Sequence, residues 1–201
     1  MFDSAILQVF YLGAAIFLLW LWVKDLRANQ AGIPQHGALP GAWPASFRIC
    51  LIGVIGAMVL LAFEVLGEYQ LDLVDQQSEI TLLFGFVSLG AAVIEEVIFR
   101  GYLVVSKRGK AFLVGSILFF SACFAVIHGH FWDWEEEFTW TFDNKAWFTT
   151  IFLFLNSVWF YVLRFLPANS RNSLLPCFIA HAVSNLGVFL VKAAQGYVIW
   201  P

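Results

Sequence analysis

Charge is scarce in this chain: Asp, Glu, Lys and Arg make up only 12% of its 201 residues. A soluble domain carries about 25% charged residues and about 45–50% apolar ones, whereas here 61% are hydrophobic. Cysteine is also sparse. Cys50, Cys123 and Cys177 each sit inside an apolar run, and an odd number of scattered thiols argues against a disulfide framework. They are expected as small apolar residues in helix packing. No basic run is long enough to bind nucleic acid, so nucleic acid is not an expected partner.

Aromatic and apolar surface is present in excess. The 22 Phe and 9 Trp exceed what a soluble core of this size can hide, so many must face lipid or the lipid–water interface. A helix needs about 20 apolar residues to cross the hydrocarbon core. Six segments qualify, at about 4–23, 47–66, 80–105, 111–131, 146–166 and 174–194. Residues 4–23 are too long and too apolar for the core of a signal peptide, and no small-residue cleavage site follows; they are expected as a retained first span. A spanning segment must satisfy its own backbone hydrogen bonds. The expected fold is therefore all-α, a polytopic transmembrane bundle of about six spans. It divides into two N-terminal helices with their loop (1–79) and a core of four helices (80–194). The stretch Ala28–Pro44 holds three Pro and three Gly and reads as a loop.

Lys24, Arg27, Arg48, Lys107, Arg108, Lys110, Arg164 and Arg171, eight of the eleven basic residues, fall on one side of this map. The positive-inside rule makes that side cytoplasmic. The opposite loops carry Glu68, Asp72, Asp75 and Glu79, then Asp133, Glu135, Glu136, Glu137 and Asp143. Both termini are then expected outside the cytoplasm. Trp132, Trp134, Trp140 and Trp147 in the second acidic loop read as an aromatic belt at the interface.

Against this background the polar residues inside spans stand out. A charge near the bilayer centre costs roughly 2.5–3.5 kcal/mol on insertion scales. The third span holds Glu95, Glu96 and Arg100, the fourth His128, and the sixth His181 and Asn185; Glu64 lies near the outer end of the second. Glu96 and Arg100 are four apart and share a helix face, so they can pair. Glu95 lies about 100° round the helix from Glu96 and is the carboxylate left for chemistry. His181 and Asn185 are again four apart. A carboxylate and a His can hold and deprotonate a water, and an Asn with a second His can donate to a developing oxyanion. That set suffices to hydrolyse an amide without a Ser or Cys nucleophile. Glu95, His128 and His181 are also a zinc-ligand set of plausible type. No His-Glu-x-x-His run occurs, and spacing alone does not separate a metal-bound water from a carboxylate-held one. Counted from the basic edge, Glu95 and His181 fall near mid-membrane, but His128 falls nearer the acidic face. His130 reads as interfacial, and His36 lies in a loop.

These residues resemble a known family. Glu95-Glu96-Val97-Ile98-Phe99-Arg100 is similar to the Glu-Glu-x-x-x-Arg motif of the CAAX-protease and bacteriocin-processing family. Phe124-Ala125-Val126-Ile127-His128 is similar to its Phe-x-x-x-His motif, and His181-Ala182-Val183-Ser184-Asn185, with Ser173-Leu174 and Pro176 upstream, to its third. One such motif is weak; three in order, each on its own span over about residues 80–190, are specific. The resemblance implies an intramembrane endopeptidase of prokaryotic inner-membrane type acting on a membrane-associated protein or peptide. It assigns Glu95 and His128 to the attacking water, His181 and Asn185 to the transition state, and Glu96 and Arg100 to supporting the site. Its glutamate mechanism needs no cofactor. Two other classes compete: a non-proteolytic immunity or scaffold protein of the same fold, and an ion-coupled transporter. The latter lacks the expected inverted repeat.

Overall fold

The computed structural model describes residues 4–133 and 137–200. Trp134, Glu135 and Glu136 of the acidic loop lie outside the described residues. Six helices are long and apolar enough to cross a membrane: α1 (Ala5–Gln30), α2 (Phe47–Gln70), α3 (Leu82–Glu95) continued by a π-helical segment (Glu96–Tyr102), α4 (Lys110–Ile127), α5 (Asn144–Phe165) and α6 (Leu175–Gln195). The chain is thus a multi-pass integral membrane protein. Among the described residues there are also four two-residue strands: β1 (Ile80–Thr81), β2 (Trp132–Asp133), β3 (Thr139–Trp140) and β4 (Val198–Ile199). β1 pairs with β4 in parallel and β2 with β3 antiparallel.

Several ends are set by local chemistry. The side chains of Ser46, Thr81 and Asp143 cap α2, α3 and α5 by accepting from Ile49, Phe84 and Ala146 N–H groups, which otherwise lack partners in a first turn. Gly196, in the left-handed region at φ 88°, ends α6.

The ends and course of several spans differ from the sequence reading, and α2 runs to Gln70 rather than stopping near 66. α1 runs to Gln30 rather than stopping near 23. Its polar last turns are held by the first loop, with Asp25 accepting from Leu39 N–H at 2.8 Å and Asn29 donating to Ala42 O at 2.6 Å. α4 stops at Ile127, with His128 as its C-cap. The third span changes from α to π geometry in mid-course.

Outward faces are apolar: Ile6, Phe10, Phe17, Phe63 and Phe119 are all exposed, as lipid-facing side chains must be. Inward faces hold Glu96, Arg100, Ser121 and Ser157 with no exposure. Between helices, small residues allow close approach, the usual device where no hydrophobic force operates. α2 packs along α6 and α5, α1 along α3, and α4 along α5. A Cβ on Gly56 would lie 2.2 Å from Trp159 Cζ2, and one on Gly187 2.3 Å from Leu61 Cδ2. Trp159 also donates its indole N–H to Gly53 O at 3.2 Å.

At the end rich in acidic loops, Lys145 Nζ lies 2.5 Å from Glu68 Oε1, tying α5 to α2. Rings crowd there too, with Phe131 on Trp147 (4.8 Å) and Trp140 stacked on Phe142 (5.6 Å). At the basic end, Leu174 N–H donates to Gly41 O, so the first and last loops of that end are joined.

Gly56→Val should force Trp159 out of its seat and cost about 1–3 kcal/mol, as overpacking does. Gly13, whose Cβ would meet nothing within 4 Å, is the control. Membrane accumulation and detergent-solubilised melting of the two Val variants check this, with loss expected only at position 56.

Candidate active site

The site grows from the break in the third span. Leu103 N–H bonds to Ile98 O at 2.9 Å, five residues back, the π pattern that often marks functional segments. The wider turn leaves carbonyls that the helix itself does not serve, and α5 serves them. The Tyr161 hydroxyl is 2.8 Å from both Phe99 O and Leu103 O, and Arg164 donates to Gly101 O at 3.1 Å. The first loop closes the same turn from outside, since a Cβ on Gly101 would lie 2.7 Å from Pro40 Cγ.

On this turn sits a buried ion pair. Arg100 Nη1 is 3.2 Å from Glu96 Oε1, and neither side chain is exposed. Among the described residues, no guanidinium nitrogen of Arg100 has a hydrogen-bond acceptor. The cation is surrounded instead by rings. Its central carbon lies 4.6 Å from the centroid of Phe124, 5.0 Å from Tyr161, 5.2 Å from Phe160 and 5.9 Å from Phe99, where ring quadrupoles attract a desolvated cation.

His181 reaches the same carboxylate from α6. Its Nδ1 lies 2.8 Å from Glu96 Oε1 and carries the proton, because a carboxylate accepts. The ring stacks on Phe160 at 4.7 Å. Its Nε2 faces Glu95 Oε2 at 3.7 Å, and the Glu95 side chain is 21% exposed while Glu96 is 0%. One imidazole therefore bridges two neighbouring carboxylates, one sealed and one open. Asn185, one turn on, donates from Nδ2 to Ser88 O at 2.7 Å, which leaves its second amide proton for another acceptor.

His128 stands opposite. Its Nδ1 lies 2.7 Å from Phe124 O; the carbonyl can only accept, so neutral His128 carries its proton on Nδ1 and presents an Nε2 lone pair. Its depth differs from the count along the sequence. Ser116, in the second turn of α4, already meets Val105 N–H at 3.1 Å, so α4 begins beyond the end of the third span. Phe124 consequently meets Phe99 edge to face at 5.1 Å and lies 6.1 Å from His181. Glu95 is four residues before Phe99 and His128 four after Phe124. The two spans are antiparallel, so both residues stand about one turn (~5.4 Å) from that aromatic contact on the same side.

Glu95, Glu96, Arg100 and His181 are thus brought into one cluster, with Asn185 beside it and His128 across from it. No hydrogen bond or ion pair links His128 to Glu95 among the described residues. Nor do three His, Cys, Asp or Glu side chains among them group as a metal-ligand set. No step below runs through a metal.

Three features were not found by reading the sequence: the His181–Glu96 bond, the four-ring cage, and the service of the π turn by Tyr161 and Arg164. Phe124 was visible as the first residue of its motif. Tyr161 and Arg164, three apart on α5, carried a helical-face signal but no clue to their partner.

Within a six-helix membrane bundle, the third span and α6 thus bring together a sealed glutamate, an arginine and a histidine beside a part-exposed second glutamate. A family model described as type II CAAX prenyl endopeptidase Rce1-like matches residues 77–187, and the chain belongs to that family, which is one of proteases. No curated protein and no solved structure matches the chain.

Removing Arg100 leaves Glu96 a buried carboxylate with only His181 to meet it. Breaking a buried pair from one side costs about 3–5 kcal/mol, so Arg100→Ala should accumulate poorly in the membrane. Replacing the pair together, Glu96→Gln with Arg100→Met, should recover part of the loss in quantitative membrane immunoblots. Equal levels of wild type and Arg100→Ala would show that the pair is not structural.

Proposed function

We propose that the chain is an intramembrane endopeptidase that hydrolyses a peptide bond of a membrane-associated protein or peptide with a water activated by Glu95 and His128. One arrangement supports this reading above others: two adjacent carboxylates share one imidazole, and only Glu95 reaches out of the sealed cluster. Glu96, fixed between Arg100 and His181, is committed to structure. Glu95 is the free base.

The steps balance as an ordinary hydrolysis. A water held by Glu95 and by the Nε2 lone pair of His128 gives its proton to Glu95, and the oxygen attacks the scissile carbonyl carbon. The oxyanion accepts the unused amide proton of Asn185. It also accepts the Nε2 proton of His181, which donates from that atom only as the imidazolium because Nδ1 is committed to Glu96. The intermediate collapses, the C–N bond breaks, and the proton on Glu95 passes to the leaving amine. Preorganised donors of this kind act in a water-poor site without reorganising.

Glu95→Gln keeps shape but takes no proton, so activity should fall by roughly 10²–10⁴. His128→Ala should be similarly inactive and add nothing to Glu95→Gln, as residues acting on one water do. Asn185→Ala should cost about 10²–10³. The assay is cleavage of quenched-fluorescent peptides, with and without an S-prenyl cysteine, by the purified chain in proteoliposomes. Prolonged chelation in the same assay should leave activity intact; loss restored by zinc would return Glu95, His128 and His181 to the role of ligands. Full function of the Glu95→Gln, His128→Ala and His181→Ala variants would instead support an immunity or scaffold protein.

From the charge map we further propose that the loops with Lys107 and Arg171 lie in the cytoplasm and the acidic loops outside. In a background without Cys50, Cys123 and Cys177, a cysteine at position 108 should be silent to an impermeant maleimide added from outside. Labelling there would invert the map.

A further inference from the structure

The π turn carries both carboxylates and the arginine on one stretch of backbone, yet part of its backbone bonding comes from another helix. The acceptors Phe99 O, Gly101 O and Leu103 O alternate along the segment and its cap, and both donors come from α5. Tyr161 is fully buried. Its hydroxyl has one proton and so serves Phe99 O or Leu103 O at any moment. Its ring also forms one wall of the Arg100 cage.

The geometry of the turn has consequences for the site. In an α-helix each residue advances about 100°, so the five steps from Glu95 to Arg100 would leave the guanidinium about 140° away from Glu95. The wider π turn advances less per residue. It draws Arg100 back toward the side of both glutamates while His181 meets them from α6. What decides the rotation of Glu95 relative to Glu96 and Arg100 is therefore the backbone register of residues 96–102.

We infer that Tyr161 is a positioning residue for the two carboxylates. By serving Phe99 O, which loses its α partner because Leu103 N–H bonds Ile98 O instead, and the cap carbonyl Leu103 O, it holds Glu95 in its orientation toward His181 and the open side, with Arg164 assisting at Gly101. The catalytic part of this inference rests on the reading of Glu95 as the base; the positioning part does not.

The test is Tyr161→Phe in the full-length chain, which keeps the ring beside Arg100 and removes only the donor. One readout is labelling by the membrane-soluble reagent dicyclohexylcarbodiimide, followed by peptide mass spectrometry. In the wild type the part-exposed Glu95 should be modified and the sealed Glu96 spared. In Tyr161→Phe the ratio should shift toward Glu96. The second readout is peptide cleavage in proteoliposomes: kcat should fall about tenfold with KM little changed, as for a misplaced but intact catalytic group. In the Glu95→Gln background, Tyr161→Phe should cost nothing further. An unchanged labelling ratio with unchanged kcat would overturn the inference. So would a kcat loss that multiplies in full with that of Glu95→Gln, since general damage to the fold behaves that way. If Glu95→Gln alone keeps full activity, the reading of Glu95 as base falls, while the labelling ratio still decides whether Tyr161 positions the pair.

Discussion

A guanidinium held without exposure inside a membrane bundle is the constraint to which the rest of the structure answers. A guanidinium carries its charge into the protein interior, and lipid offers it nothing. Arg100 is met by Glu96 at 3.2 Å and by rings from the π turn, α4 and α5. These contacts bring α4 and α5 to the third span at one level. Phe124 can line the cage only if α4 is displaced along its axis, and that displacement is what sets His128 at the depth of Glu95. The placement of one cation thus organises three spans, and α6 joins through the bond from His181 to the same carboxylate.

The two adjacent glutamates show how environment divides like residues. Both are carboxylates on one backbone, yet Glu96 lies between an arginine and a histidine with no exposure, and Glu95 keeps a partly open face. Sealing one charge with two partners meets its desolvation cost. It also leaves the other available without having to share its proton chemistry. A single imidazole in contact with both bridges the sealed half of the site to the open half.

α2 and the first loop contribute in a different way. Glycines at the α2 contacts let it lie close to α5 and α6, which fixes the azimuth of α5 and hence the aim of Tyr161 and Arg164. Pro40 of the first loop occupies the space over Gly101. The N-terminal helices and their loop therefore press on the π turn through packing, without supplying one of the groups proposed to react.

The amino-acid sequence alone tells that the chain spans a membrane and how often. Hydropathy over about 20 residues depends on composition alone, and each span must close its own hydrogen bonds whatever its neighbours. It also determined which side chains are too costly to lie in lipid without purpose, and so named Glu95, Glu96, Arg100, His128, His181 and Asn185. It placed Glu96 with Arg100, because four-residue spacing is a local property. What it did not carry was the π register of residues 96–102, the depth of α4, or the choice of His181 by Glu96. Each of these depends on a partner distant along the chain: Tyr161 and Arg164 for the freed carbonyls, Ser116 for Val105, and α6 against α3 for the carboxylate. The carbonyl that the π register displaces, Phe99 O, finds its donor in Tyr161 of α5, and which donor arrives is decided when the helices pack.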